Sequence, residues 1–365
     1  MPNTINYAEK YSEVIDERFK IASITDAAVN SNYEFDGVNK INIYSVDTAE
    51  LNDYNRTASG NRYGTPTELG NAVQTLALTQ DKGFTFTIDR GNYNDTVMAN
   101  SAGNALKREI DEVVTPTVDK HRLSVISAGA GTYMPQTVTS SNAYECFLDA
   151  TAELTENKVP LEGRIAYVTP EYYKKIKLDP TFTGKGDKAN DVAANGSVGV
   201  IDNIHLILTP SSYLPSGINF MITHPSAALG PVKIAEYKTH DKPQGISGWL
   251  CEGRVNYDAF VLNNKKKAIL VSHKPVTLSA LTIGSLTLDP TFGSDTVTYT
   301  ATTTNASNTV SATATDSGAT IEIKNGSTVV TNGSAATWET GENTVTVKVS
   351  NGITSKTYTV TVTKS

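Results

Sequence analysis

Thr344-Val345-Thr346-Val347-Lys348-Val349-Ser350 alternates polar and apolar residues without a break, and Tyr358-Thr359-Val360-Thr361-Val362-Thr363 repeats the pattern a few positions later. A period of two puts Val345, Val347 and Val349 on one face of a strand and the threonines with Lys348 on the other, as in a strand with one buried side. The surroundings are uniform in composition. After Pro275 there is no Cys, His or Met, and Thr fills 25 of the 90 positions. Asn325-Gly326, Asn332-Gly333 and Asn351-Gly352 are pairs that favour positive φ in tight hairpins. About seven short strands at this spacing describe a β-sandwich. An all-β module, 276–365, is therefore joined to a body, 1–275, that reads as α+β.

The body opens with a polar stretch, 1–35, in which Val14, Ile15, Phe19 and Ile24 sit at near-helical spacing over Tyr11–Ile24. So little chain builds no core of its own, and an arm lying on another subunit is expected. Lys40–Val46 and Ala72–Thr79 read as strands. Phe84, Phe86 and Ile88 mark a third, with Gln80-Asp81-Lys82-Gly83 as the turn before it. Between the first two runs a segment rich in Asn, Thr, Gly and Tyr that is too long for an ordinary loop of a compact domain. The whole of 41–89 is read as an extended β arm. Tyr54, Arg56, Arg62 and Tyr63 are its expected assembly contacts, with Tyr44 nearby, because tyrosine offers a large apolar area with a polar tip.

A long helix is expected from Val97 to about Ser127, with Ala102, Ala105, Leu106, Ile110, Val113 and Val114 on its apolar face. Pro116 should kink or break it, since proline lacks the backbone donor. Asn142–Asn157 reads as an amphipathic helix carrying Ala143, Tyr144, Phe147, Leu148 and Leu154. Arg164–Val168 reads as a buried strand, and Thr169-Pro170 opens a short helix to Lys177. Asp179–Ser197 is a Gly-, Asp- and Lys-rich loop. Val198–Leu208 and Asn219–Thr223 are strands, and Arg254–Leu262 with Lys267–Ser272 form a closing hairpin turned at Asn263-Asn264-Lys265.

Composition narrows the function. A length of 365 residues suits roughly two domains of about 150 residues each. A net charge of −7 argues against a reader of nucleic-acid sequence. Cys146 and Cys251 are expected to be buried thiols in a reducing compartment. The N-terminus shows no basic region followed by an apolar run, and no stretch nears the ~20 apolar residues of a membrane span. A protein made in the cytoplasm, without membrane contact, is expected.

Catalytic signatures are missing: there is no Gly-x-Ser-x-Gly, no phosphate loop ending in Gly-Lys-Ser/Thr and no His-Glu-x-x-His. Gly184-Lys185-Gly186-Asp187 lacks the helix-opening hydroxyl and reads as a flexible loop. His121, His205, His224, His240 and His273 are scattered without metal-ligand spacing, and His205 is expected to be a satisfied core residue. Asp187, Asp191 and Asp202 read as solvated loop acids rather than a cation site. Sequons at Asn55, Asn94, Asn305, Asn325 and Asn332 are attributed to a Thr- and Asn-rich composition. No enzyme, cofactor or metal is expected.

The order of arm, long β loop, spine helix, mixed αβ domain and closing strands resembles the major capsid protein of tailed bacteriophages, the Johnson fold also used by encapsulins. Lys107-Arg108-Glu109-Ile110-Asp111-Glu112 is similar to the late spine helix, and Arg164-Ile165-Ala166-Tyr167-Val168-Thr169-Pro170-Glu171-Tyr172-Tyr173 to the strand and helix of the axial domain. Val198-Gly199-Val200-Ile201-Asp202, Thr209-Pro210-Ser211-Ser212-Tyr213-Leu214-Pro215 and Gly253-Arg254-Val255-Asn256-Tyr257-Asp258-Ala259-Phe260-Val261 carry the rest. The module resembles cadherin-like or immunoglobulin-like sandwiches through Leu278-Ser279-Ala280-Leu281-Thr282-Ile283, Leu288-Asp289-Pro290-Thr291-Phe292-Gly293, Val297-Thr298-Tyr299, Gly341-Glu342-Asn343-Thr344-Val345 and Lys356-Thr357-Tyr358-Thr359-Val360.

The resemblance implies an N-arm at 1–35, an extended loop at about 41–89, a spine helix at about 97–127 and axial and peripheral domains within 128–275. It implies a structural subunit of pentamers and hexamers in an icosahedral head enclosing double-stranded DNA, with non-specific DNA contact. A separate scaffolding protein, a portal and minor capsid proteins are the other implied partners, and the location is the virion. The loop 47–81 contains no lysine, with Lys82 at its foot, so no covalent cross-link between subunits is expected. Gly83, Gly91 and Pro116 are the hinge candidates. The module is expected to face outward, either holding cell-surface glycans weakly or adding bulk. An encapsulin-like compartment and a surface adhesin are the alternatives.

Overall fold

The computed structural model describes residues 23–30, 40–91, 102–183 and 197–365. The helix expected before residue 23, the start of the spine helix, Asn94, the Gly184–Asp187 loop and Asp191 lie outside the described residues. Backbone contacts divide the chain into two units, one from the N-terminus to Arg122 with Ala228–Lys265, the other Leu123–Ala227 with Lys266–Ser365.

In the first unit, β1 (Lys40–Val46) and β2 (Asn71–Ala77) form an antiparallel two-stranded sheet in register from Lys40↔Ala77 to Val46↔Asn71. A second sheet has the order β10 (Val232–Asp241), β11 (Gly248–Tyr257), β3 (Gln80–Asp89). The expected turn at Gln80–Gly83 is instead the first part of β3, with Gly83 opposite Arg254. Its turn-like residues are overridden by the full ladder that β11 offers. β10 has no counterpart among the expected strands. It takes the hairpin partnership with β11, and the chain after Tyr257 gives only the short β12 (Phe260–Val261), which pairs with β9 (Ala228–Leu229). The closing hairpin of Arg254–Leu262 with Lys267–Ser272 is therefore not formed.

The spine helix is continuous through Pro116. Ala102–Glu109 (α1) passes through a π-turn, Ile110–Val114, into Thr115–Ala128 (α2). Proline at 116 clashes with the carbonyl one turn back, and widening that turn relieves the clash without breaking the rod. The Thr115 N–H reaches back to Ile110 O, and Thr117 Oγ1 donates to Val113 O at 2.6 Å. Val118, Val255 and Tyr257 make a small core here, with Val114 against it.

The second unit holds a six-stranded sheet in the order β4 (Thr132–Pro135), β13 (Ile269–His273), β8 (Ile218–Thr223), β5 (Ile165–Val168), β7 (Ile204–Leu208), β6 (Ser197–Ile201). β13 thus lies between β4 and β8. Every residue of β5, β8 and β13 is buried, so these strands do not alternate; β5 is an unbroken apolar run, while β8 and β13 also bury Asn219, Thr223, Ser272 and His273. Helices α3 (Ala143–Glu156), α4 (Pro170–Leu178) and α5 (Pro180–Thr183) accompany the sheet. Phe220 meets Phe147 at 5.4 Å and Tyr172 at 4.6 Å between ring centres. The Thr169 hydroxyl caps α4 by accepting from the Tyr172 N–H, with Pro170 in the first turn. Leu148, expected in the core, is exposed, and Cys146 and Ala150 take the buried face of α3.

Val198–Leu208 is a hairpin rather than one strand. Asp202 and Asn203 turn it with φ of 48° and 63°, a pair that tolerates the left-handed region. His205 points out of the sheet and is exposed; the buried histidine is His273, 4% exposed. Arg164 is wholly buried and donates to the carbonyls of Pro160 and Val159 rather than to a carboxylate. Both cysteines are free and buried.

The module adds β14 (Leu278–Ile283), β15 (Thr298–Thr303), β16 (Ser307–Ala314), β17 (Thr320–Asn325), β18 (Thr328–Val330), β19 (Ser334–Thr337), β20 (Gly341–Ser350) and β21 (Ser355–Lys364). They form a sheet β14-β16-β19 and a sheet β15-β21-β20-β17-β18. Between them Val345, Val347, Val349, Val360 and Val362 are wholly buried, and Trp338 is 2% exposed with its Nε1–H on Asn308 Oδ1. Gly326, Gly333 and Gly352 adopt positive φ in the three Asn-Gly turns.

Candidate assembly surfaces

Among the described residues, half of the large hydrophobic side chains left exposed lie on the β1–β2 arm. One face of the hairpin turns inward at its root, where Leu76 packs with Leu229 and Leu262 and with half-buried Ile41, Ile43, Leu78 and Phe260. The opposite face and the loop 47–70 find no such cover among the described residues. Tyr44, Val46, Leu51, Tyr54, Tyr63, Leu69 and Val73 are all exposed, Leu51 completely. A lone two-stranded hairpin is marginal in water, and a patch of this kind usually marks an interaction site.

The loop is nonetheless ordered by its own polar groups. Asn55 Oδ1 accepts from the Thr57 N–H, the Thr57 hydroxyl and the Ala58 N–H, while the Asn55 N–H donates to Arg62 O. Arg62 Nε donates to Ala58 O. These bonds bring the expected contact residues Tyr54 and Tyr63 together edge to face, 4.9 Å between ring centres. Arg56 is exposed beside them. The sequon at Asn55 is thus a turn device, as are Asn325, whose amide bonds Thr337 O, and Asn332, which exchanges two bonds with Ala312.

What pins the arm was not legible in the sequence. Asp258 Oδ2 accepts from the Thr79 N–H at 2.7 Å and the Thr79 hydroxyl at 2.8 Å, at the junction of β2 and β3. Its other oxygen accepts from the Ala259 N–H and lies 2.8 Å from His121 Nε2 on the spine helix. Burial alone raises this carboxyl, but the bonds from His121, Ala259 and Thr79 outweigh it and hold its pKa below the ordinary value. Gln74 adds a second pin, donating to Val261 O and accepting from the Asn263 N–H. These partners lie up to 189 positions apart, so no local pattern could announce them.

Residues 23–30 are tied to the spine in the same manner. Buried Asp119 accepts from the Ser23 hydroxyl, the Ile24 N–H and the Thr25 hydroxyl, and Arg122 donates to Asp26 and to Gly230 O. Ahead of this clasp, α1 and the π-turn contain no buried residue among those described; Leu106 and Ile110 are half-buried and Val113 is exposed. Of the hinge candidates, Gly83 lies inside β3, Gly91 follows β3 with its N–H on Asp89 Oδ1, and Pro116 sits just after the π-turn.

Among the described residues no group of three or more His, Cys, Asp or Glu is placed to hold a metal ion, and no helix is long and apolar enough to cross a membrane.

Two independent likenesses accompany this geometry. Residues 278–365 match the cadherin-like β-sandwich domain family. Among solved structures, a chain from Mycobacterium phage Che8 aligns at 18% identity with a TM-score of 0.59, over 73% of this chain and 96% of that one. A chain from the capsid of Cyanophage P-SCSP1u aligns at 13% identity and a TM-score of 0.59, over 74% and 93%. One from the mature capsid of bacteriophage PhiM1 aligns at 10% and 0.54, over 73% and 92%. No curated protein matches the chain. The α+β chain thus has the fold of phage capsid chains, as its sequence resemblance implied, and a cadherin-like β-sandwich at its C-terminus.

Proposed function

We propose that this chain is the major capsid subunit of a tailed phage, self-assembling through its arm. The supporting observation is the arm: seven large apolar side chains exposed on a two-stranded hairpin and its loop, with the root pinned by part-buried hydrogen bonds. Covering them on a neighbour at ~1.5 kcal/mol each gives a gross gain of roughly 10 kcal/mol per arm. Lost freedom of the subunits and of the loop removes much of that. Many copies are then needed, in closing rings of heterologous contacts. Pentamers and hexamers of an icosahedral head around double-stranded DNA satisfy that need. The reported structures come from phages, which favours a phage head over a cellular compartment.

In this reading 1–275 is the shell subunit, assembled in the host cytoplasm with a separate scaffolding protein and portal, and 276–365 decorates the outside of the virion. The hinge near Pro116 acts through the π-turn, which can move its extra residue along the helix. An outward sandwich repeated over a shell makes weak binding to cell-surface glycans effective. Electron microscopy of the purified protein, alone and with a co-expressed scaffold, tests the proposal. Closed shells or five- and sixfold rings bearing surface knobs are expected, and discrete monomers or dimers under every condition would sink it.

A further inference from the structure

Domains of one chain are usually joined by an exposed, flexible linker that lets them turn on each other. The sandwich has no such linker. β13 ends at His273 and β14 begins at Leu278, so residues 274–277 make the whole connection. Lys274 belongs to the body: its N–H donates to Gly217 O at 2.7 Å, and its carbonyl accepts from His273 Nδ1 at 2.7 Å. Val276 belongs to the sandwich, 8% exposed within its core. Pro275 alone stands between them, and its ring fixes φ.

A second contact holds the same end of the sandwich. Ser216 and Gly217, just ahead of β8, meet the loops that follow β16 and β20. Gly217 has φ of 78°, and a Cβ there would lie 3.2 Å from Asp316 Oδ2 and 3.3 Å from Asn351 Nδ2. Glycine is needed for both the left-handed backbone and the close approach. The Ser216 hydroxyl donates to Gly318 O at 3.4 Å, and a Cβ at Gly318 would come 2.7 Å from Ser216 Oγ. Asn351 lies in an Asn-Gly turn yet is 4% exposed.

Charge completes this seat. Lys274 Nζ lies 3.4 Å from Glu171 Oε2 on α4 and 3.8 Å from Asp316 Oδ1 in the module. The Asp316 side chain is 9% exposed, and a carboxylate so covered is costly without a cation beside it. One ammonium thus serves an acid on each side of the junction.

We propose that this seat locks residues 276–365 in one orientation at the end of the six-stranded sheet where His273 pairs with Ile218, making the sandwich a fixed post rather than a tethered appendage. The turns at its other end, 304–306, 326–327 and 339–340, are exposed and are thereby presented in one direction. The lock acts within a single chain and does not depend on shell assembly; in a shell it points every copy the same way.

A disulfide built across the seat tests the lock in the full-length protein. The approach of position 318 to Ser216 Oγ puts the sulfurs of S216C/G318C within bonding reach. S216C/S327C is the control, since β17 carries the chain roughly 17 Å away from the seat before Ser327. Cys146 and Cys251 are buried and stay out of the reaction. On oxidation with diamide the near pair is expected to close roughly a hundredfold faster than the far pair, as a fixed effective concentration dictates. Mass spectrometry of tryptic peptides reads both. Adding K274A and D316A to the near pair should slow closure roughly tenfold, because the sandwich then leaves its seat.

Circular dichroism identifies any variant that fails to fold, and the unaltered protein supplies a reading that needs no variant. In amide spin relaxation of the unassembled chain, β20 and β8 should share one tumbling time. Equal closure of near and far pairs, no slowing on loss of the bridge, or a shorter tumbling time for β20 each overturns the lock.

Discussion

Val345, Val347 and Val349 in β20 and Tyr44 and Val46 in β1 occupy alternating positions of antiparallel strands. The valines of β20 are wholly buried, whereas Tyr44 and Val46 are 65% and 67% exposed. Alternation tells which residues share a face; it does not tell what covers the face. In the sandwich the cover is a second sheet of the same chain, and eight strands suffice to close a core around Trp338. The arm has only two strands, and two strands make no second layer. Among the described residues nothing covers its outer face. The number of strands around a pattern decides whether its partner is internal or another molecule.

Removing the arm's loop should separate the two regions most sharply. Replacing 47–70 with a two-residue Asn-Gly turn keeps Val46 opposite Asn71, so the hairpin can still close. Assembly should be abolished, as read by sedimentation, while the melting temperature of the chain stays nearly unchanged. A large drop in melting temperature would mean that the loop serves its own subunit, and the contrast drawn above would fail. Trp338→Ala is the reciprocal experiment. It should cost the sandwich about 3–5 kcal/mol through a cavity and the lost hydrogen bond to Asn308, read by denaturant unfolding. Ring or shell formation should persist, since the arm is untouched.

Much of this contrast was legible in the chain. The sandwich's strands and Asn-Gly turns follow from local chemistry, and β1, α3, β5 and α4 fall at or near their expected bounds. The exceptions share a cause. Gln80–Gly83 carries turn residues but extends as strand, because β11, more than 160 positions away, offers it a ladder. β10 was missed although Val232–Asp241 alternates, and with it the true partner of β11. The Asp202-Asn203 turn was readable and overlooked. At the candidate site the loop tyrosines were named from composition, and Tyr54 and Tyr63 lie exposed there. The pins Asp258, His121 and Gln74 were not, because a buried hydrogen-bond acceptor has no signature until the backbone has brought its donors to it.

Asp258→Asn is expected to have a smaller effect, about 1–3 kcal/mol on the first unit, since an amide replaces the carboxylate before His121 and Thr79. The pH dependence gives its sign. The folded-state pKa of Asp258 is lowered, so its stabilising contribution is complete above the unfolded carboxyl value of about 3.9. It is lost as pH falls through the folded value. Wild-type stability should therefore decline more steeply than the variant's below about pH 4, as followed by denaturant titration at each pH. Parallel curves would show that the carboxylate's charge is not what holds the arm's root.

Tyr63→Ser should have the smallest effect on an isolated chain and is the most exacting test of the comparison. The ring is 82% exposed and touches its own chain edge to face at Tyr54. Surface changes of this kind stay within roughly 0.5 kcal/mol in a monomer. A residue of β20 with the same hydrophobic content could not be cut back so cheaply, because its cover is already in place. If the arm's cover is a neighbour, the loss reappears on assembly: the concentration midpoint of shell formation should rise severalfold while the monomer's unfolding curve does not move. Equal, small effects on both would make Tyr63 an ordinary surface residue and leave Leu51 and Leu69 to carry the contact. A monomer destabilised as much as the shell would place the ring's true partner within its own chain.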